Sequence, residues 1–161
     1  MYQYFIYGLG IHSEIKLYNL EETPSMPDVL VHYGSIPEDI IEKTKRGHVS
    51  SMSQTRVWFQ NDAGHFIILN GNEIMVQPLN NADEKTLASF VLGWGLSFLF
   101  QMRNASAIHC SAIEVADQAV LVSGVSGAGK STVALSLLDA GYRYLADDII
   151  MVEPTPDMLI H

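Results

Sequence analysis

The apolar positions in the first half of the chain come in short runs, a pattern typical of strands. Branched and aromatic residues, separated by proline and glycine, predict strands at 2–7, 11–17, 29–33 and 56–60. Asn70-Gly71 lies between apolar runs at 65–69 and 73–77, and this dipeptide supplies the two positive-φ residues of a tight hairpin turn. Residues 37–45 predict one short helix. We therefore expect a small antiparallel sheet.

A longer apolar segment follows, and it carries the signals of a helix. Asp83, with Glu84 and Lys85 behind it, starts the segment, which runs to Met102 without a further charge. Its uncharged part is shorter than the roughly 20 residues that cross a bilayer, so we expect a buried helix. The pattern thus predicts a β-rich N-terminal region at 1–82, a connecting buried helix at 83–105 and a core at 106–161.

The pattern changes again in the last third of the chain. Its predicted elements are a strand at 107–115, a turn at Asp117-Gln118, a strand at 119–123, a glycine-rich loop, a helix at 130–140 and a strand at 142–152. Gly141 ends the helix as its cap. Strand, loop, helix and strand form a βαβ unit, whose crossover favours a parallel pairing of the two strands.

Composition narrows the classes of protein that fit. The 161 residues are 48% hydrophobic and 17% charged, which is typical of a folded protein with a buried core. A formal net charge of -9 disfavours nucleic acid and anionic membrane surfaces as partners, because both repel an acidic protein. Cys110 is the only cysteine, which excludes an internal disulfide, and the N-terminus lacks a basic leader. We therefore expect a cytoplasmic protein.

The glycine-rich loop reads Gly-Val-Ser-Gly-Ala-Gly-Lys-Ser and matches the pattern G-x-x-x-x-G-K-[ST] at every fixed position. Such a loop curls so that successive N–H groups point inward, and the following helix adds positive potential for phosphate oxygens. Lys130 would reach the β- and γ-phosphates, and the Ser131 hydroxyl would bind Mg²⁺. The sequence therefore predicts that ATP with Mg²⁺ binds at Gly124, Val125, Ser126, Gly127, Ala128, Gly129, Lys130, Ser131 and Thr132.

Phosphoryl transfer also needs a group that accepts a proton, and the loop supplies none. The candidates are Asp147 and Asp148, which interrupt an otherwise apolar predicted strand. Adjacent strand residues point to opposite faces, so the two share one role only at a bulge or a strand end. His109 stands on an earlier strand, where it is either a neighbour of the phosphate site or a hydrogen-bonded core residue. We interpret Cys110 beside it as a small buried thiol.

Three segments together resemble a known family. They are Ile-His-Cys-Ser-Ala at 108–112, the loop with its flanking strand and helix at 120–132, and Ala-Gly-Tyr-Arg-Tyr-Leu-Ala-Asp-Asp at 140–148. In this combination the chain resembles the HPr kinase/phosphorylase family, and most of all its smaller HPr-kinase-like members. The resemblance implies an α/β fold, with the P-loop core of the HPr kinase and phosphoenolpyruvate carboxykinase type after a small β-rich region.

The resemblance also implies an activity, the transfer of the γ-phosphoryl group of ATP to a serine hydroxyl of a protein or peptide. Carried over by position, Asp147 is the acid/base group and His109 assists it. Asp148 helps to hold Mg²⁺ together with Ser131. Lys130 completes the catalytic set, and which aspartate is the base and which holds the metal stays open.

The chain departs from the family pattern in two places. Cys110-Ser111 follows the histidine where the full kinases have glycine, and the family's further strands and loops have no counterpart after the Asp-Asp strand. A βαβ unit alone leaves an uncovered sheet edge, so we expect an incomplete core that needs a missing C-terminal half or a homo-oligomer. Two other functions stay open, a catalytically inactive nucleotide-binding module and an ATP hydrolase or phosphorylase.

Overall fold

The structure, a computed structural model, describes residues 1–79, 81–125, 127–147 and 149–153. It divides into two compact units, unit 1 at Met1–Arg103 and unit 2 at Asn104–His161. The architecture is mixed α/β, as the sequence predicted. The three-part division of the chain at 82 and 105 stays a prediction.

Unit 1 is built on a sheet that has seven strands among the described residues. In chain order these are β1 (Tyr2–Ile6), β2 (Leu9–Ser13), β3 (Val29–Tyr33), β4 (Ser50–Met52), β5 (Arg56–Gln60), β6 (Gly64–Leu69) and β7 (Glu73–Pro78). Their order across the sheet is β1-β2-β3-β7-β6-β5-β4. The pairs β2/β3 and β3/β7 are parallel and the other four pairs of described strands are antiparallel, so the sheet is mixed instead of purely antiparallel as predicted. The connections at 14–28 and 34–72 are long enough for the return path that parallel pairing requires.

The predicted hairpin between β6 and β7 is confirmed. Asn70 and Gly71 have φ of 50° and 68°, and the Asn72 amide donates a hydrogen bond to the Leu69 carbonyl over 3.1 Å. Two consecutive positive φ values give a turn whose twist matches that of the flanking strands. This dipeptide therefore determines locally where the two strands turn.

The short helix predicted at 37–45 is also confirmed, as α1 (Glu38–Lys45). It has acidic residues in its first turn and lysines in its last, the order that the helix dipole favours. Ile40 of this helix is fully buried and packs with Trp58 and Ile67. This apolar contact holds α1 against the sheet of unit 1.

The predicted helix after Asp83 forms with one irregularity. α2 (Glu84–Phe90) continues through a π-helical turn (Val91–Gly95) into α3 (Leu96–Met102). The Asp83 carboxylate accepts a hydrogen bond from the Thr86 amide over 3.0 Å and so caps the start of α2. The buried residues of this segment include Leu87, Ala88, Val91, Leu96, Leu99 and Phe100. Across the described part of the chain, every helix is too short or too polar to cross a membrane.

His32 and Glu73 form an ion pair between neighbouring strands of unit 1. His32 Nε2 lies 2.9 Å from Glu73 Oε1, and His32 Nδ1 lies 2.9 Å from the Tyr33 carbonyl oxygen. Burial lowers the pKa of His32, but the two hydrogen bonds and the charges of Glu73 and Glu14 outweigh burial and raise that pKa above its ordinary value. The stabilisation from this pair is therefore complete below about pH 6.5 and is lost as the pH rises through the raised pKa.

We expect His32→Gln to lower the free energy of unfolding of unit 1 by roughly 0.2–1 kcal/mol near pH 5.5 and to have little effect near pH 9. Urea unfolding followed by tryptophan fluorescence measures this, since Trp58 and Trp94 both lie in unit 1. Glu73→Gln removes the other half of the pair and should show the same pH dependence. An equal effect of His32→Gln at both pH values would contradict the assignment.

Unit 2 is organised around one long strand. β8 (Ser106–Val115) pairs antiparallel with β9 (Gln118–Ser123), β10 (Arg143–Ala146) and β11 (Ile149–Val152). The helix α4 (Lys130–Asp139) connects β9 to β10. The expected parallel pairing of these two strands is wrong, because β8 lies between them and every pairing of the described strands in unit 2 is antiparallel. Both strands still run in the same direction, as a crossover connection requires, since both are antiparallel to β8.

The turn between β8 and β9 comes one residue earlier than predicted. Its left-handed residues are Ala116 and Asp117, with φ of 50° and 61°, so Gln118 already belongs to β9. Aspartate adopts this conformation more readily than most residues, which explains why it signals a turn.

The single strand predicted at 142–152 is interrupted. Its register along β8 shifts between Tyr144 and Ala146, where β10 ends, and β11 starts only at Ile149. Asp147 therefore lies beyond the end of a strand. Two neighbouring carboxylates can serve the same site only at a bulge or at a strand end, and this is a strand end.

Candidate functional site

The loop between β9 and α4 contains two glycines with a left-handed backbone conformation. Gly127 and Gly129 have φ of 79° and 89°, in the left-handed region that residues with a Cβ rarely adopt. The Ala128 amide donates a hydrogen bond to the Val125 carbonyl over 3.1 Å within this loop. Gly129 directly precedes α4, so the loop leads into the N-terminus of a helix. Ser126, predicted to bind phosphate, lies outside the described residues.

Lys130 opens α4, and its side chain folds back over the loop. Its Nζ donates hydrogen bonds to the Gly124 carbonyl over 3.1 Å and to the Val125 carbonyl over 3.4 Å. A Cβ on Gly124 would lie 3.3 Å from the Cβ of Ala128, which is closer than ordinary van der Waals contact. The loop is therefore tight, and it holds the ammonium group near the helix N-terminus, where the helix dipole adds positive potential.

Asp147 joins two serines from different elements. Its Oδ1 accepts a hydrogen bond from Ser111 Oγ of β8, and its Oδ2 accepts one from Ser131 Oγ of α4 over 3.3 Å. Ser111 is fully buried, whereas Ser131 and Asp147 are exposed to solvent. The carboxylate is thus anchored from the sheet and directed towards the first turn of the helix.

A cleft of about 460 Å³ brings these groups together, and its volume is within the range of small-molecule sites. Its lining residues are His109, Gly127, Gly129, Lys130, Ser131, Thr132 and Asp147. Each of them was predicted from the sequence as a site residue. Gly124, Val125 and Ala128 belong to the same loop. Asp148, predicted to hold the metal, lies outside the described residues.

Ser111 donates a hydrogen bond to Asp147 of the cleft, although its position in the sequence alone does not mark it. Side chains two residues apart on a strand point to the same face, and Ser111 stands two residues after His109 on β8. Strand alternation is therefore the signal that could have found it. That signal becomes usable only once β8 is known to border Asp147, which is a property of the tertiary structure.

Cys110 is a fully buried thiol, as predicted. Burial raises its pKa, the negative charge of Asp147 raises it further, and the charge of Lys130 acts in the opposite direction. A raised pKa keeps the thiol protonated at neutral pH, and a protonated thiol is a poor nucleophile. Cys110 therefore contributes packing to β8, not reactivity.

Comparison with known proteins points to one family of enzymes. Residues 101–160 match the family described as HPr Serine kinase C-terminal domain. This segment contains β8, the glycine-rich loop, α4 and Asp147. The resemblance to the HPr kinase/phosphorylase family that three sequence segments indicated is confirmed.

Curated relatives from several organisms carry the same name. The HPr kinase/phosphorylase of Lachnoclostridium phytofermentans is 32% identical over 77 residues, which cover 46% of this chain and 24% of that protein. The HPr kinase/phosphorylase of Streptococcus thermophilus is 30% identical over 105 residues, 58% of this chain and 33% of the relative. That of Chlorobaculum tepidum is 47% identical over 45 residues, 28% of this chain and 13% of the relative. The chain thus spans between 13% and 33% of the length of these relatives. No solved structure shows a significant match.

Proposed function

We propose that unit 2 contains the nucleotide-binding core of an HPr-kinase-like protein that transfers the γ-phosphoryl group of ATP to a serine hydroxyl of a protein or peptide. The observation that carries this proposal is the cleft that Lys130, Ser131 and Asp147 line together. A cation for the phosphates, a hydroxyl for the metal and a carboxylate for the acceptor proton are the parts that phosphoryl transfer needs. The names of the relatives support this class of reaction.

The proposed P-loop is the segment 124–131, and its geometry suits a phosphate group. The left-handed glycines at 127 and 129 curve the backbone, and a curved backbone can direct several N–H groups towards one anion. The N-terminus of α4 adds its positive potential at the same place. With nucleotide bound, Lys130 exchanges the loop carbonyls for the β- and γ-phosphate oxygens.

The donor atoms at the cleft suit Mg²⁺, which prefers hard oxygen ligands. Ser131 Oγ and Asp147 Oδ2 lie 3.3 Å apart, so a hydroxyl and a carboxylate oxygen are adjacent there. On the family resemblance, we assign Mg²⁺ to Ser131 and Asp148, with the nucleotide and water supplying the other oxygens. The bound ion would neutralise the negative charge that develops on the phosphates.

We assign Asp147 as the group that takes the proton from the acceptor hydroxyl, with His109 assisting it. Both side chains line the cleft. The hydrogen bonds from Ser111 and Ser131 orient the carboxylate from two sides. A general base has to be within hydrogen-bond reach of the proton that it accepts, and an oriented carboxylate facing the cleft meets this condition.

Two other functions fit the same cleft. The relatives are named as kinase and phosphorylase, which favours a reaction in which phosphate or water replaces the serine hydroxyl as acceptor. A nucleotide-binding module without turnover would use the same loop and the same Lys130 ammonium group.

The test is calorimetry of Mg-ATP binding to the 161-residue chain, followed by product analysis with γ-labelled ATP and purified HPr. Phosphoserine on HPr would support the kinase. Release of free phosphate alone would support the hydrolase, and binding without any product would support the module. A chain that is folded but binds no Mg-ATP would contradict the proposed nucleotide site.

A further inference from the structure

Ser111 is a fully buried polar residue in an otherwise apolar part of β8. Cys110, Ala112 and Ile113 around it are also buried. A hydroxyl in such surroundings is destabilising unless it forms a hydrogen bond, and Ser111 Oγ donates one to Asp147 Oδ1. The register places Ala112 opposite Ala146, so the backbone pairing itself brings Ser111 next to Asp147.

The hydrogen bond from Ser111 also determines which carboxylate oxygen of Asp147 faces Ser131. Because Oδ1 is occupied by Ser111, Oδ2 is the oxygen that meets Ser131 at the start of α4. A carboxylate without an anchor rotates freely about its terminal torsion, which is broad for aspartate. Asp147 lies past the end of β10. Ser111 therefore orients the carboxylate from the sheet, opposite the hydrogen bond from Ser131.

We propose that Ser111 is a positioning residue, whose hydroxyl holds the Asp147 carboxylate in the orientation that serves phosphoryl transfer. The inference rests on the proposed function, because it takes Asp147 as the group that receives the acceptor proton. Ser111 is buried in unit 2 and acts through Asp147, without touching the nucleotide itself.

A purely structural serine would behave differently. It would stabilise unit 2 by satisfying its own buried hydroxyl, and its loss would lower stability together with every activity. A positioning serine changes the rate of transfer while nucleotide binding stays the same, because ground-state binding of ATP uses the loop and Lys130. The separation of rate from binding is therefore the deciding measurement.

The experiment uses the full chain with four variants. Ser111→Thr keeps the hydroxyl, and Ser111→Val has nearly the same shape without it, so this pair isolates the hydrogen bond from packing. Ser111→Ala removes the hydroxyl without adding volume. Ser136→Ala is the control, since the Ser136 hydroxyl on α4 donates only to the backbone carbonyl of Thr132 among its observed partners. Mg-ATP affinity, turnover with HPr and turnover with water are measured for each.

We expect Ser111→Val and Ser111→Ala to lower turnover roughly 10- to 100-fold, the usual effect of removing a group that orients a functional side chain. Their affinity for Mg-ATP should stay within about twofold, and Ser111→Thr should retain turnover within about threefold of wild type. Equal turnover of Ser111→Val and Ser111→Thr would overturn the proposal. A parallel loss of affinity and turnover in all three variants would also overturn it.

Failure of the proposed function can be told apart from failure of this inference. If the wild-type chain shows no turnover, a double-mutant cycle of Ser111→Ala with Asp147→Ala, each of which removes the hydrogen bond, decides whether the two side chains are coupled. Hydrogen exchange of the segment 106–115 provides the readout, because both tryptophans lie in unit 1. Coupling of roughly tenfold in the opening equilibrium would support the positioning bond, and additive effects would overturn it.

Discussion

Replacing Lys130 with alanine is expected to weaken Mg-ATP binding roughly 10- to 100-fold, the size of a lost charge-assisted hydrogen bond. Lys130 Nζ already lies over the loop, on the carbonyl oxygens of Gly124 and Val125. A phosphate group in the cleft offers this ammonium a charged partner in place of two neutral ones, so the interaction becomes stronger on binding. Calorimetry on wild type and variant measures the change in affinity.

Lys45→Ala is the matched control for this experiment. Lys45 belongs to the last turn of α1 and is not among the residues that line the cleft, so its removal changes the net charge by the same amount. We expect its affinity for Mg-ATP to equal that of wild type. Unchanged binding in Lys130→Ala, with the fold intact by circular dichroism, would contradict the assignment of the loop as a phosphate site.

Asp147→Asn should have the opposite signature, with affinity for Mg-ATP preserved and phosphoryl transfer reduced by about 10²- to 10⁴-fold, the usual contribution of a general base. Asparagine has the same shape and keeps an oxygen that can accept the hydrogen bond from Ser111. It cannot take a proton from an acceptor hydroxyl. Labelled phosphate transfer to HPr, measured beside the binding constant, separates the two effects.

The control here is Asp139→Asn at the end of α4, which removes the same charge from unit 2. We expect it to alter neither binding nor transfer. If Asp147→Asn and Lys130→Ala lost Mg-ATP binding to the same extent, the division of roles between the two residues would be wrong. The carboxylate would then belong to the binding site for the metal and nucleotide instead.

Much of the local structure followed from the sequence because it depends on neighbouring residues. Asn70-Gly71 adopts the two positive φ values that these residue types favour, and the hairpin forms where these residues stand. Asp83 caps a helix through the amide of Thr86, three residues later. The glycine-rich loop and the helix behind it were predictable for the same reason, since each needs only particular residue types at short spacing.

The arrangement of the strands in the two sheets was harder to predict from the sequence. Parallel pairing of β2 with β3 and of β3 with β7 joins segments that are far apart in the sequence. The residue pattern of a strand does not indicate which other strand it pairs with. In unit 2, a βαβ unit suggested direct pairing of β9 with β10, but β8 lies between them. A crossover helix determines that two strands run in the same direction, and it leaves their order in the sheet undetermined.

The candidate site also combines local features that the sequence predicts with contacts that depend on the fold. The sequence by itself determined the glycine-rich loop with Lys130 and Ser131 at the start of α4, because such a loop is a local structure of consecutive residues. Only the tertiary structure decided that Asp147 meets Ser131 from one side and Ser111 from the other. These side chains come from three separate elements, and a contact between them requires the pairing of β8 with β10 and the placement of α4. Chemistry that depends on consecutive residues can be predicted from the sequence, and chemistry that depends on packing needs the fold.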